Sequence, residues 1–327
     1  MDYAQIELLT QQVRSENVFI DDIKKELSAA VIGQEKLIER IIIAFITGGH
    51  ILLEGLPGLA KTLAVRSFAK AVEAEFRRIQ FTPDLLPADL TGTQVFNPRE
   101  MDFFTRKGPI FTNLLLADEI NRAPAKVQSA LLQAMEEKQV TLGETTFSLP
   151  QPFMVLATEN PIEQEGTYPL PEAQLDRFFM KVLVDYPTIS EEREILTRFS
   201  EISSDKINSI ISPDKIKSKA ELIEKIYVND KLLEYIVAVV NETRRPSRKE
   251  VKKYIDFGAS PRASIALMKA SRCIAFMRGR GFVTPDDIKE IGADVLRHRV
   301  ILSYEAEAEG KNADDVVKLV FDSVEVP

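Results

Sequence analysis

The chain has 327 residues, 45% apolar and 28% charged, with a formal net charge of −8 and one cysteine, Cys273. That length allows one large or two medium domains, the acidic balance speaks against a protein that coats nucleic acid, and a single thiol excludes an intramolecular disulfide. No apolar run reaches the roughly 18 residues of a membrane span, and Met1 to Val13 carries acids without a signal peptide's apolar core, so a cytosolic protein is expected.

Residues 1–30 read as amphipathic and helical, with Ile6, Leu9 and Val13 at helical spacing. Val31-Ile32-Gly33-Gln34 interrupts that pattern, and a second helix is predicted from Gln34 to Thr47, stopped by Gly48-Gly49. His50-Ile51-Leu52-Leu53 reads as a short buried strand, and Leu63 to Ala71 as a helix. Between them stands Gly55-Leu56-Pro57-Gly58-Leu59-Ala60-Lys61-Thr62. Strand, glycine loop, Lys-Thr and helix is the context of a phosphate-binding loop. Gly55 and Gly58 let successive N–H groups face one anion, and the helix adds its positive dipole end. Lys61 would reach the β- and γ-phosphates of ATP, and the Thr62 hydroxyl would ligate Mg²⁺. Gly55, Pro57, Gly58, Ala60, Lys61, Thr62 and Leu63 are thus expected around the nucleotide, with Ala60 standing where glycine usually precedes the lysine. Upstream, Val31, Ile32 and Gly33 are either an apolar corner for the adenine ring or a plain helix-entry turn.

Arg77 to Phe81 alternates as a second strand, and Thr82 to Phe111 is too long for a simple strand-to-helix connection. Within it, Gln94-Val95-Phe96 and Met101 to Thr105 read as a hairpin, either a functional insert or a surface ornament. Leu114 to Ala117 is an apolar run ending in Asp118-Glu119, as in a central parallel strand whose carboxyl end carries charge. There Asp118 can hold Mg²⁺ through a water, and Glu119 can polarise an attacking water. Asn121 to Gln139 is predicted helical and opened by Pro124. Val140 to Leu142 and Thr146 to Leu149 form a second hairpin around Gly143-Glu144-Thr145. Phe153 to Thr158 is another strand, and Asn160 just beyond it either bonds a γ-phosphate or starts an Asn-Pro turn. Arg177 precedes a last strand, Phe179 to Val184, and is either a solvated helix-end charge or a phosphate-directed group.

Pro187 marks a change of texture, so a nucleotide-binding domain over 1–186 and a helical domain over 187–327 are expected. Ser260-Pro261-Arg262 opens a helix as N-cap, N1 and first turn, and Thr284-Pro285 opens another. The basic run Arg244 to Lys253 reads as a solvated loop or a nucleic-acid patch. Cys273 falls in an apolar helical pattern, as a core thiol does.

The run Asp118 to Gln128 resembles the signature of MoxR-type AAA+ ATPases, and so do Gly55 to Thr62 with its Ala60, Ala157 to Pro161, Gly166 to Phe178 and Gly258 to Arg262. The resemblance spans nearly the whole chain and makes Ala60 a family habit. It implies an α/β fold: a P-loop αβα sandwich with a five-stranded parallel sheet, followed by a C-terminal α-helical lid. It also implies a ring, usually hexameric, with ATP and Mg²⁺ between subunits. Within it Asn160 would be sensor 1, Arg177 an arginine finger reaching the neighbour's nucleotide, and Arg262 the sensor 2 residue. The hairpins would be the helix-2 insert and the pre-sensor-1 hairpin. MoxR proteins are chaperone-like and commonly act with partners carrying von Willebrand factor A domains, in metal or cofactor insertion or complex maturation. A protein-remodelling ATPase, a DNA-translocating motor and a nucleotide-gated scaffold with little turnover all remain open. A DNA motor needs cations at its pore hairpin, and Gly143-Glu144-Thr145 offers an acid only, so no nucleic-acid partner is expected.

Overall fold

A computed structural model describes residues 2–56, 58–160, 166–198 and 204–327. They fall into two compact units. One holds Asp22–Arg177 with Val182–Ile216; the other holds the N-terminal residues to Asp21, Phe178–Lys181 and Lys217–Pro327. The change of texture at Pro187 therefore lies inside the first unit, and the amino-terminal helix belongs to the second.

The first unit holds a five-stranded parallel sheet except for the first two residues of its last strand, Met180 and Lys181, which belong to the second. Its strands are β1 (Ile51–Glu54), β2 (Phe76–Gln80), β5 (Leu114–Asp118), β8 (Met154–Glu159) and β9 (Met180–Leu183), in the order β2-β5-β8-β1-β9. β5 is buried along its whole length, and β8 up to its last residue, as strands covered on both faces must be. Two antiparallel hairpins stand apart from the sheet: β3 (Gly92–Asn97) with β4 (Asp102–Lys107), and β6 (Gln139–Leu142) with β7 (Thr145–Ser148). They lean on one another, since the Lys107 ammonium lies 5.1 Å from the centre of the Phe147 ring and the Gln94 side chain packs against Gly143.

The helix predicted from Asn121 to Gln139 is divided. A short 3₁₀ turn, Ile120–Arg122, is followed by the helix Ala125–Glu137. Ala123, immediately before Pro124, is extended at ψ 153°, as the proline ring demands of its predecessor. Residues 1–30 likewise form two helices, Tyr3–Glu16 and Val18–Ser28, separated at Asn17. The Asn17 amide donates to the carbonyls of Phe276 and Met277, so the break serves a tertiary contact.

The second unit is helical, apart from a small antiparallel pair, β10 (Ile255–Phe257) and β11 (Ile301–Leu302). Strands of three and two residues are too short for alternation to reveal them. The Ser260 hydroxyl caps the helix Pro261–Met277, and Thr284 with Asp287 forms a capping box on Pro285–Leu296. Buried Asp287 also receives Arg278 and Arg280, so this cap doubles as a charge centre. Arg297, His298 and Arg299 hold the short segment 178–181 by its backbone. Arg297 donates to the Lys181 carbonyl, Arg299 to those of Phe178 and Phe179, and His298 Nε2 lies 3.2 Å from the Phe178 carbonyl oxygen. The basic run from Arg244 is solvated, as one of its two readings has it, but only residues 245–248 form a loop. Arg244 ends the helix Asp230–Arg244 and donates to the Ala259 carbonyl, Lys249–Lys252 is a helical turn, and Lys253 pairs with Glu309 at 2.6 Å. Cys273 is fully buried, and burial pushes its thiol up to about 12.

Candidate nucleotide-binding site

Where β1 ends, the chain turns tightly against β9. A side chain on Gly55 would stand 2.7 Å from the Val184 carbonyl oxygen, so only glycine lets the loop leave the sheet here. Gly58 follows at φ +87°, and Ala60 at φ +55°. Ala60 is thus left-handed as well as small, a conformation costing an L-residue roughly 1–2 kcal/mol. It leads directly into the helix Lys61–Ala71. That register places Lys61 and Thr62 in the first turn, where unpaired N–H groups and the dipole favour an anion.

The loop borders a cavity of about 360 Å³. Lys61, Thr62, Asp118, Glu119 and Asn160 all line it, as do Gly55, Gly58, Ala60 and Leu63. Residues from three separate stretches of sequence therefore meet at the carboxyl ends of β1, β5 and β8. Lys61 is half-buried and donates to the Gly55 carbonyl at 2.5 Å. Burial pushes its ammonium below the ordinary lysine value, and the Asp118 and Glu119 carboxylates oppose that shift. Glu119 is left-handed at φ +56°; its N–H donates to Thr158 Oγ1 at 2.8 Å, and its carboxylate accepts from Arg122 at 2.9 Å. Thr158 in turn donates to Asp118 Oδ1 at 3.3 Å. One hydroxyl on β8 thereby orients both acids at the end of β5. Strained backbone at such a position is typical of functional sites.

Arg78, Gln80, Thr158 and Glu159 also line the cavity; the sequence assigned none of them a role, although Thr158 and Glu159 lie in the run Ala157 to Pro161. A signal for two of them existed, because alternation along β2 puts Arg78 and Gln80 on one face. Other expected residues stand elsewhere. Val31, Ile32 and Gly33 line a separate hollow of about 340 Å³ with Lys24, Ile38 and Glu194. Arg177 does not border this cavity; its guanidinium donates to the Leu132 carbonyl at 3.2 Å and meets Glu136 at 3.3 Å. Arg262 belongs to the other compact unit, where its N–H donates to Ser260 Oγ. Pro57 lies outside the described residues.

The donors suit a hard divalent cation. Thr62 and Asp118 offer oxygen ligands at the cavity wall, and no group of three or more His, Cys, Asp or Glu capable of holding a metal occurs among the described residues. A cation held by one or two protein oxygens plus substrate phosphates is how Mg²⁺ usually binds.

Residues 50–180 match the family described as ATPase family associated with various cellular activities (AAA), and residues 247–320 match the AAA lid domain. Chaperone MoxR1 of Mycobacterium tuberculosis is 47% identical over 305 residues, covering 92% of this chain and 81% of its own. The chain belongs to the MoxR family of AAA+ ATPases. The YeaC protein of Bacillus subtilis, itself uncharacterized, is 43% identical and covered to 93%. The crystal structure of a candidate ATPase from Cytophaga hutchinsonii superposes with a TM-score of 0.90 at 45% identity, over 99% of this chain and 98% of that one. The MoxR relationship thus extends over both units and the amino-terminal helices.

Proposed function

We propose that this chain is a MoxR-type, chaperone-like AAA+ ATPase that binds Mg²⁺·ATP, hydrolyses it between the subunits of a hexameric ring, and uses the cycle to remodel or mature protein partners. The observation that carries this reading is the single cavity holding Lys61, Thr62, Asp118, Glu119 and Asn160 together. In it, Lys61 and the first turn of its helix neutralise phosphate charge. Thr62 and Asp118 hold the cation, which supplies charge neutralisation on the phosphates when bound. Glu119 accepts the proton of the attacking water, and Asn160 orients that water or the γ-phosphate. Arg177 acts on the neighbouring subunit's nucleotide, in keeping with its place outside its own chain's cavity. Arg262 serves as sensor 2, and Val31, Ile32 and Gly33 receive the base.

Two observations favour a protein client over DNA. The β6–β7 tip carries Glu144 and no cation. The β3–β4 hairpin exposes Phe96, Met101, Phe103 and Phe104 beside the mixed charges Arg99, Glu100, Asp102, Arg106 and Lys107, a surface better suited to peptide than to a phosphate track. A protein carrying a von Willebrand factor A domain is the expected working partner, in the cytoplasm. No helix among the described residues is long and apolar enough to cross a membrane. The test is co-purification from native extract with Mg²⁺·ATP, comparing Glu119→Gln, which should bind ATP but hydrolyse it slowly, with Lys61→Ala. A protein enriched with Glu119→Gln alone is expected, without ATP-stimulated DNA binding at moderate salt. Tight, salt-sensitive DNA binding with DNA-stimulated ATPase would overturn the protein-client reading in favour of a motor.

A further inference from the structure

Both carboxylate oxygens of Asp118 are engaged by the chain itself. Oδ1 accepts from Thr158 Oγ1 at 3.3 Å, and Oδ2 accepts from Arg78 Nε at 2.5 Å. The two halves of the ion pair differ in freedom: the Asp118 side chain is 11% exposed, whereas that of Arg78 is 52% exposed. The acid is fixed at the end of β5, and the base can leave it for water. Arg78 comes from β2, which pairs with β5 so that Gln80 stands opposite Asp118. Alternation turns Arg78 and Gln80 into the cavity, while Arg77 pairs with Glu75 and does not line it.

We propose that Arg78 is a displaceable counter-ion for Asp118 and thereby sets how tightly nucleotide-bound Mg²⁺ is held; this rests on the Mg²⁺·ATP reading above. A nearly buried carboxylate needs a positive partner, and without nucleotide Arg78 provides it. A divalent cation arriving with the phosphates competes for the same oxygen and is repelled by the guanidinium. The Arg78–Asp118 interaction is therefore subtracted from cation affinity. Arg78 is a positioning residue in this account, holding Asp118 in place between turnovers and yielding it when the cation binds.

The test uses ADP, which removes any γ-phosphate contact, and titrates Mg²⁺ into full-length protein with ADP, reading binding by calorimetry. Arg78→Met keeps the length of the side chain and removes the charge. The half-saturating Mg²⁺ concentration should fall about two- to fivefold, the upper part of the range for a solvent-accessible ion pair. Arg78→Lys, retaining charge without the fork, should fall between wild type and Arg78→Met. Arg77→Met, one residue away on the other face, should leave the Mg²⁺ dependence unchanged. A merely structural role for Arg78 would shift ADP affinity equally with and without Mg²⁺. Unchanged or raised half-saturating Mg²⁺ in Arg78→Met, with wild type showing the dependence, would overturn the inference alone. Absence of Mg²⁺-dependent ADP binding in wild type would overturn it together with the reading on which it rests.

Discussion

The cavity at the strand ends and the surroundings of Arg177 share a compact unit but differ in construction. The cavity is lined by four strand ends and a helix start, with Asp118, Glu119 and Thr158 linked by hydrogen bonds and Lys61 in the field of the two acids. Arg177 rests on the far part of the helix Ala125–Glu137 through one carbonyl and a half-exposed pairing with Glu136. Such a pair adds little to stability. One chain thus brings the residues proposed to hold the phosphates and the cation into one cavity, while the residue proposed to finish the chemistry stands outside it. Binding and hydrolysis should accordingly be separable by mutation.

The largest effect that would sharpen this contrast is on rate. Arg177→Ala should lower the hydrolysis rate by about 10³–10⁵ while nucleotide affinity and melting temperature stay near wild type. Steady-state kinetics beside calorimetry would check both, and a parallel loss of affinity would place Arg177 in the cradle. Lys61→Ala should do the reverse. Losing its charge-assisted contact, roughly 1.5–3 kcal/mol, weakens ATP by about ten- to a hundredfold, and unchanged affinity by calorimetry would rule out this loop as the site.

A third prediction concerns the residue that ties the two regions together. His50 Nδ1 accepts from the Val155 N–H at 3.0 Å, and Nε2 meets the Met135 carbonyl at 3.1 Å. It bridges β8, which carries Thr158, and the helix on which Arg177 rests. Burial, opposed by the Met135 bond and aided by Lys138, pushes its imidazole down to about 4. The folded protein keeps His50 neutral, so its contribution is full above the unfolded value near 6.5 and is lost as pH falls toward 4. Between pH 7 and 5 the chain should lose ~2 kcal/mol through this group. Denaturant unfolding of wild type and His50→Gln should show that part of the pH slope vanishing in the variant; equal slopes would remove His50 as its source. The smallest expected effect is at Ala60. Relieving a left-handed alanine, Ala60→Gly should stabilise by ~0.5–1 kcal/mol after the glycine's greater entropy is counted, measured as a shift in denaturation midpoint.

The cradle was legible in the sequence because its chemistry sits in compact runs: Gly55 to Thr62 and the apolar strand ending in Asp118-Glu119 declare themselves by spacing. The five sheet strands and both hairpins were legible from alternation and apolar runs, with ends displaced by a residue or two. What stayed hidden depends on tertiary geometry. Arg78 looks like any charge on an edge strand until Asp118 is placed beside it. Thr158 looks like the tail of an apolar run until its hydroxyl meets the Asp118 carboxylate and the Glu119 N–H. The handedness of Ala60 is a backbone property that its smallness does not reveal. Arg297, His298 and Arg299 read as a polar run, although all three are buried on backbone carbonyls.

The central claim, a site completed by a neighbouring subunit, is tested most directly by mixing two dead variants. Arg177→Ala and Glu119→Gln proteins are each expected to be nearly inactive alone. In mixed rings, some interfaces would pair the intact Glu119 of the first with the intact Arg177 of the second. ATPase activity measured across mixing ratios should rise above both parents and peak at intermediate composition. No recovery at any ratio, with mixed assembly verified by differential tagging, would contradict a shared site.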